Sequence, residues 1–197
     1  MESTNEYAVF LDVDGVINSI NHLYTRGELD FDAETLPHPA NGYTVWVPDY
    51  MASLVQGLYK STDLYWLTTW RDNANQHISP ILGIPEDIPV IDDGTKERAV
   101  HWKFDACLPL AQELAAKGQK VYWIEDFGGR IDPRHSPYLT YVDTDTRDEG
   151  VLLPQHLPYE LQEHIIEHGD YTGPLYLKAP RTKSNFTVHT RNFGVDA

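Results

Sequence analysis

The alternation of short apolar segments with helix-like segments restricts the fold of this chain more than any other feature. Three segments are short, apolar and rich in aromatic and β-branched residues, as buried strands are: 7–11 (YAVFL), 64–67 (LYWL) and 120–124 (KVYWI). Apolar residues recur at helical spacing in 51–58 and 102–117. Strands that alternate with helices predict an α/β fold, a parallel sheet with helices on both faces.

Polar residues follow each of the three predicted strands. They form three pairs, Asp12 and Asp14, Thr68 and Thr69, and Glu125 and Asp126. Parallel sheets bind ligands at the carboxyl ends of their strands, so we expect these pairs to lie together. Asp-Gly is also a common turn dipeptide, and the first pair alone is consistent with an ordinary turn.

The carboxylates among these residues predict a metal site. Carboxylates that a fold brings together repel one another unless a cation joins them or some take up protons. With only oxygen ligands in view, we expect Mg²⁺, held by Asp12, Asp14, Glu125 and Asp126. A carboxylate beside such a metal can attack phosphorus, which makes Asp12 a candidate nucleophile and Asp14 a candidate acid and base.

A phosphoryl group in this site needs hydrogen-bond donors and a fixed positive charge. The hydroxyls of Thr68 and Thr69 can donate hydrogen bonds to phosphate. Either Lys96 or Lys103 can supply the charge. Lys96 lies in a polar stretch where an exposed lysine is ordinary, whereas Lys103 begins a mostly apolar helix. A cation there is disfavoured by the helix dipole unless an anion lies nearby, so we favour Lys103.

These motifs, in this order, resemble the haloacid dehalogenase superfamily. The motifs are FLDVDGV, LTT, WK and WIED, and the resemblance covers about residues 7–168. It is strongest to small actinobacterial and phage-type members without a large cap domain. The resemblance implies a Rossmann-like sheet, dependence on Mg²⁺ and phosphatase chemistry.

The resemblance also assigns roles to residues. It implies that Asp12 is the nucleophile, that Asp14 is the acid/base and binds metal through its backbone carbonyl, and that Thr68 and Lys103 hold the phosphate. The superfamily usually has two aspartates where this chain has Glu125-Asp126, and we favour Asp126 as the direct metal ligand. Carbon–halogen hydrolases of the superfamily lack the second aspartate, so Asp14 favours a phosphatase.

The sequence predicts one catalytic domain with two appendages. We assign residues 1–169 to the phosphatase-like domain, 18–47 to a small insertion or loop within it, and 170–197 to a basic tail or hairpin. The insertion is too short for a full cap domain of ~50 residues or more. A site with so little cover can admit a nucleotide, a nucleic-acid end or a phosphoprotein as the phosphorylated substrate.

Composition limits the partners of the chain. The 30 acidic and 15 basic side chains give a net charge of -15, which argues against extended nucleic acid and anionic membrane surfaces. No apolar run approaches the roughly 18 residues of a membrane span, and the N-terminus does not resemble a signal peptide. The single cysteine, Cys107, excludes an internal disulfide. We therefore expect a cytoplasmic protein; the sequence does not indicate its oligomeric state.

Two other function classes compete with the phosphatase. The first is a non-catalytic binding or structural protein on the same fold, but such a protein has no use for a proton donor at Asp14. The second is a nucleotide-sugar transferase with an Asp-x-Asp metal site, which predicts a larger chain. Hydrolysis of an aryl phosphate would separate the phosphatase from both.

Overall fold

The computed structural model describes residues 5–19, 34–95, 101–127, 136–144 and 150–173. In chain order, its strands are β1 (Tyr7–Leu11), β2 (Thr35–Ala40), β3 (Tyr43–Pro48), β4 (Asp63–Trp66), β5 (Lys120–Glu125) and β6 (Thr140–Asp143). Its helices are α1 (Met51–Ser61), α2 (Ser79–Leu82), α3 (Trp102–Ala116) and α4 (Tyr159–His168). A π-helical turn, Ala74–Ile78, precedes α2, and a 3₁₀ turn, Pro154–His156, precedes α4.

Four strands form one parallel sheet in the order β4-β1-β5-β6. The chain leaves β1 towards β4 on one side and later reaches β5 on the other, so the direction of strand addition reverses at β1. Ligand sites of open α/β sheets lie at such reversals, outside the carboxyl ends of the strands. The residues that follow β1 therefore occupy the position where this architecture places a site.

Both faces of the sheet are buried, as the sequence predicts. Alternate residues of β1 point to opposite faces, so Val9 and Leu11 join one apolar core while Ala8 and Phe10 join another. The first core contains residues of α1, α2 and α4, and the second contains the buried face of α3, including Cys107. The predicted α/β class, with a parallel sheet between helices, is confirmed.

The insertion predicted at 18–47 contains a hairpin. Strands β2 and β3 pair antiparallel and close on Asn41-Gly42, where the φ values of +48° and +79° suit a type I′ turn. The backbone N–H of Trp46 in β3 donates to Oδ1 of Asn18 at 2.8 Å, which fastens the hairpin to the loop after β1. Residues 20–33 of the insertion lie outside the described residues.

The packed body continues past residue 169. Tyr171 is 4% exposed and belongs to the first apolar core, where its Cβ lies close to Gly57 of α1. Most of the predicted basic tail, 174–197, lies outside the described residues. No described helix has the length and apolar character needed to cross a membrane.

Candidate active site

The strand register brings the predicted polar residues to one edge of the sheet. Leu11, the last residue of β1, pairs with Trp66 of β4 on one side and with Ile124 of β5 on the other. The pairing continues one step further, because the N–H of Asp12 donates to the carbonyl of Ile124 at 3.2 Å. Asp12 therefore lies level with the ends of both neighbouring strands.

Asp12 is a buried carboxylate with one oxygen paired. Its residue is 4% exposed, and its Oδ2 lies 2.7 Å from Nζ of Lys103. Its Oδ1 is buried and makes no hydrogen bond with the described part of the chain. A buried carboxylate oxygen without a partner costs free energy, and such an atom in a native structure calls for a specific reason. A bound cation or an electrophile at Oδ1 would provide one.

Lys103 is the second residue of α3 and joins Asp12 to Glu125. Its Nζ lies 2.7 Å from Oδ2 of Asp12 and 2.7 Å from each carboxylate oxygen of Glu125. Burial opposes the positive charge, but attraction by the two carboxylates outweighs it and raises the pKa of Lys103. The anion expected near a cation at a helix N-terminus is thus supplied by the protein itself.

Asp126 completes a cluster of three carboxylates with Asp12 and Glu125. One oxygen from each lies within 4.8 Å of the other two. Burial, followed by the negative charge of Asp12, raises the pKa of Glu125, although Lys103 opposes the rise. Lys103 contacts two of these carboxylates, Asp12 and Glu125. The proximity of the three carboxylates and the unpartnered Oδ1 of Asp12 fit a divalent cation such as Mg²⁺.

Gly15 allows the loop after β1 to approach Asp126. Its φ of +74° lies in the left-handed region, and a Cβ at this position would collide with the side chain of Asp126. Thr144, which follows β6, donates its hydroxyl to the carbonyl of Gly15 at 2.6 Å. The glycine of the FLDVDGV motif therefore has a role beyond its turn, because it keeps the space that Asp126 occupies.

The side chain of Asp14 lies apart from the three-carboxylate cluster. Its Oδ1 accepts a hydrogen bond of 2.8 Å from Nδ2 of Asn18, and its Oδ2 accepts one of 3.0 Å from Nε1 of Trp70. Asn18 and Trp70 thus fix both oxygens. The sequence places Trp70 next to the site, but nothing in the sequence singled out Asn18, whose position depends on the loop and on the hairpin.

The residues after β4 occupy different environments. Thr68 is fully buried, and its Oγ1 accepts a hydrogen bond of 3.2 Å from the N–H of Trp70. Thr69 is exposed and lines a cavity together with Asp14. Arg71 pairs with Asp92 at 3.2 Å and Asp93 at 3.5 Å, so its charge is engaged outside the carboxylate cluster. Lys96, the other candidate lysine, lies outside the described residues.

The cavity beside Asp14 has a volume of about 370 Å³. It lies where three segments meet: the loop after β1, the β2–β3 hairpin and the loop after β4. Its lining includes Asp14, Asn18, Tyr43, Thr69, Trp70 and Asn73. The site therefore consists of a partly buried cluster around Asp12 and an open cavity on the side of Asp14.

Comparison of the chain with family models, curated proteins and solved structures found no match.

Proposed function

We propose that this protein is a Mg²⁺-dependent phosphomonoester hydrolase of the haloacid dehalogenase type that works through an aspartyl-phosphate on Asp12. The observation that carries the proposal is the state of the Asp12 carboxylate. One oxygen is neutralised by Lys103, whereas the other is buried and unpartnered. A carboxylate that serves only the fold would have both oxygens satisfied.

The proposed reaction has two steps. In the first, the carboxylate of Asp12 attacks phosphorus, the bond from phosphorus to the leaving oxygen breaks, and Asp14 gives a proton to that oxygen. In the second, water attacks the phosphorus of the aspartyl-phosphate and gives a proton to Asp14. The bond between phosphorus and the Asp12 oxygen then breaks, which releases inorganic phosphate and restores the Asp12 carboxylate and the protonated form of Asp14.

The charges around Asp12 support binding of a phosphoryl group. Lys103 supplies a largely buried positive charge, and the cluster of Asp12, Glu125 and Asp126 would hold Mg²⁺, with Asp126 favoured over Glu125 as the direct ligand. When bound, Mg²⁺ supplies the positive charge that offsets repulsion between the substrate phosphate and the carboxylates. Lys103 would exchange part of its contact with the carboxylates for phosphate oxygens, and Thr68 would donate its hydroxyl hydrogen to the same group.

A non-catalytic binding protein is the second candidate. It is favoured by the completeness of the Lys103 contacts, because an ammonium group already shared by Asp12 and Glu125 can serve the fold alone. A bound cation would explain the unpartnered Oδ1 of Asp12 in this candidate too, but this candidate assigns no reaction to that oxygen. It also gives no reason for a carboxylate held on both oxygens, at Asp14, to border a cavity.

The deciding experiment is phosphate release from p-nitrophenyl phosphate with and without Mg²⁺. Wild type is compared with Asp12→Asn and, as a matched control, with Asp87→Asn at an exposed position away from the cluster. We expect Mg²⁺-dependent release by wild type and Asp87→Asn, and background release by Asp12→Asn. Circular dichroism of each variant establishes that it is folded.

A covalent intermediate adds an independent readout. Acid quenching during turnover of a ³²P-labelled substrate should leave label on the wild-type protein and none on Asp12→Asn. Release that persists in Asp12→Asn would exclude Asp12 as the nucleophile. A folded wild type that releases no phosphate with Mg²⁺ from aryl, alkyl and nucleoside phosphates would favour the binding protein.

A further inference from the structure

The cavity beside Asp14 lies on the side of the site where a leaving group belongs. This inference rests on the proposed function, in which Asp14 protonates the oxygen that leaves phosphorus. Asp14 borders the cavity, whereas Asp12 and Lys103 do not line it. The organic group of the substrate is bonded to the leaving oxygen and must lie next to it. The residues that line this cavity therefore indicate which kind of organic group the site accepts.

The cavity has an aromatic wall. Tyr43, at the tip of the hairpin, is 70% exposed, and its ring meets that of Trp70 at a centroid distance of 6.4 Å and an interplanar angle of 67°. Because the two rings are not stacked face to face, faces remain available for a planar group. Aromatic side chains with an open face are the usual platform for nucleic-acid bases.

Polar groups without charge complete the lining. Asn73 lies on the wall; its backbone N–H donates to the carbonyl of Trp70, and its side chain carries an amide group. Thr44 and Thr69 also line the cavity. Amide side chains pair with the edges of bases because they carry a donor and an acceptor side by side. The wall therefore offers both stacking and edge recognition to a planar polar ring.

The charge of the described lining residues restricts which leaving groups fit the cavity. Among the described residues that line the cavity, Asp14 is the only charged one, and no lysine or arginine is present. A leaving group with a second phosphate would meet no positive charge from these described lining residues. The volume of about 370 Å³ is near the lower end for small-molecule sites, which fits one nucleoside.

We propose that the leaving group is an uncharged nucleoside, so that the substrate is a nucleoside monophosphate whose base stacks on Tyr43 and is contacted by Asn73. The same chemistry is present in a free mononucleotide and at the phosphorylated end of an oligonucleotide. A 5′-phosphorylated dinucleotide compared with the mononucleotide distinguishes these two sources.

The kinetic test compares each nucleoside 5′-monophosphate with ribose 5-phosphate, which has the same reacting phosphate but no base. We expect wild type to show a kcat/KM at least about tenfold higher for the preferred nucleotide, the effect of stacking one base. Tyr43→Ala and Asn73→Ala should reduce this ratio, whereas Tyr59→Ala, an exposed tyrosine on α1, should not. Equal kcat/KM values for the two substrates, in the presence of measurable turnover, would refute the nucleoside proposal and leave the hydrolase standing.

A binding test examines the nucleoside proposal independently of phosphate hydrolysis. Calorimetric titration of wild type with the four nucleosides, which carry no phosphate and cannot be hydrolysed, should give binding that weakens in Tyr43→Ala and not in Tyr59→Ala. Nucleoside binding without any phosphate release would support the cavity assignment while removing the hydrolase. Ribose that bound as well as the nucleosides would count against a base-recognising wall.

Discussion

The indole Nε1 of Trp70 donates a hydrogen bond of 3.0 Å to Oδ2 of Asp14. This contact joins residues 56 positions apart and connects the loop after β4 to the loop after β1. Asn18 holds the other oxygen of Asp14 and, through its own Oδ1, accepts the N–H of Trp46 in the hairpin. Asp14, the proposed acid and base, is therefore positioned directly by the loop after β4 and, through Asn18, by the hairpin.

Trp70→Phe should impair the proton transfer assigned to Asp14. The substitution keeps an aromatic ring but removes the N–H, a hydrogen bond to a charged group worth about 1.5–3 kcal/mol. We expect kcat for an alkyl phosphate to fall about tenfold, which corresponds to about 1.4 kcal/mol. The loss should be smaller for p-nitrophenyl phosphate, because its leaving oxygen needs less help from an acid.

Trp66→Phe is the matched control for this comparison. It also removes an indole donor, in this case the 3.0 Å hydrogen bond to Asn75, at a buried position of β4. We expect it to lower thermal stability without a difference between the two substrates. Equal losses on both substrates in Trp70→Phe would mean that Trp70 supports the fold and does not position Asp14.

Lys103→Ala should cost both stability and activity, whereas Lys96→Ala should cost little of either. Lys103 is the only described cation in contact with Asp12 and Glu125, and removing one partner of a buried ion pair destabilises by about 3–5 kcal/mol. Urea denaturation measures the first effect, and phosphate release with Mg²⁺ measures the second. A larger activity loss in Lys96→Ala would show that the catalytic lysine is misassigned.

A double variant tests the ion pair itself. Lys103→Met combined with Glu125→Gln removes the positive charge at position 103 and the negative charge at position 125 together, so no charge at position 125 is left without its partner. The combined loss of stability should therefore be smaller than the sum of the two single losses. Additive losses would mean that the 2.7 Å contacts contribute no coupling energy.

Several features of the site followed from the sequence. The apolar runs of β1, β4 and β5 were sufficient to predict those strands, because central parallel strands are buried on both faces. The polar residues that follow these strands lie together because the carboxyl ends of parallel strands share one edge of the sheet. The helix dipole predicted an anion near Lys103, and in the structure Asp12 and Glu125 are the anions in contact with it.

Other features depend on tertiary structure. The strand β2 reads TLPHPA, with two prolines and mostly non-buried residues, so neither periodicity nor propensity predicts it. The Asn41-Gly42 dipeptide before the apolar run of β3 was the available signal for a hairpin. The bonds of Asn18 to Asp14 and to Trp46 involve the β3 backbone, and no spacing along the chain determines them.

Asp126→Asn and Glu125→Gln should separate metal binding from stability. Both oxygens of Glu125 contact Lys103, and Oε2 also accepts the indole N–H of Trp123 at 3.1 Å. Both carboxylate oxygens of Glu125 therefore already accept hydrogen bonds from the protein, so we favour Asp126 as the direct metal ligand. We expect Mg²⁺ affinity, measured by calorimetry, to fall more than about tenfold in Asp126→Asn, the effect of disturbing a metal site. Glu125→Gln should mainly lower the unfolding free energy, and the reverse ranking would assign the metal to Glu125.

Gly15→Ala should weaken Mg²⁺ binding beyond the cost of its backbone conformation. An alanine at φ +74° is strained by about 1–2 kcal/mol. Its Cβ would also displace Asp126, the proposed metal ligand. Gly118→Ala is the control, because Gly118 has a φ of +89° and no atom within 4 Å of an added Cβ. Both variants should lose similar stability from the backbone, measured by thermal unfolding, while only Gly15→Ala requires more Mg²⁺ for half-maximal phosphate release. An unchanged Mg²⁺ requirement in Gly15→Ala would show that Asp126 can move without loss and does not bind the metal directly.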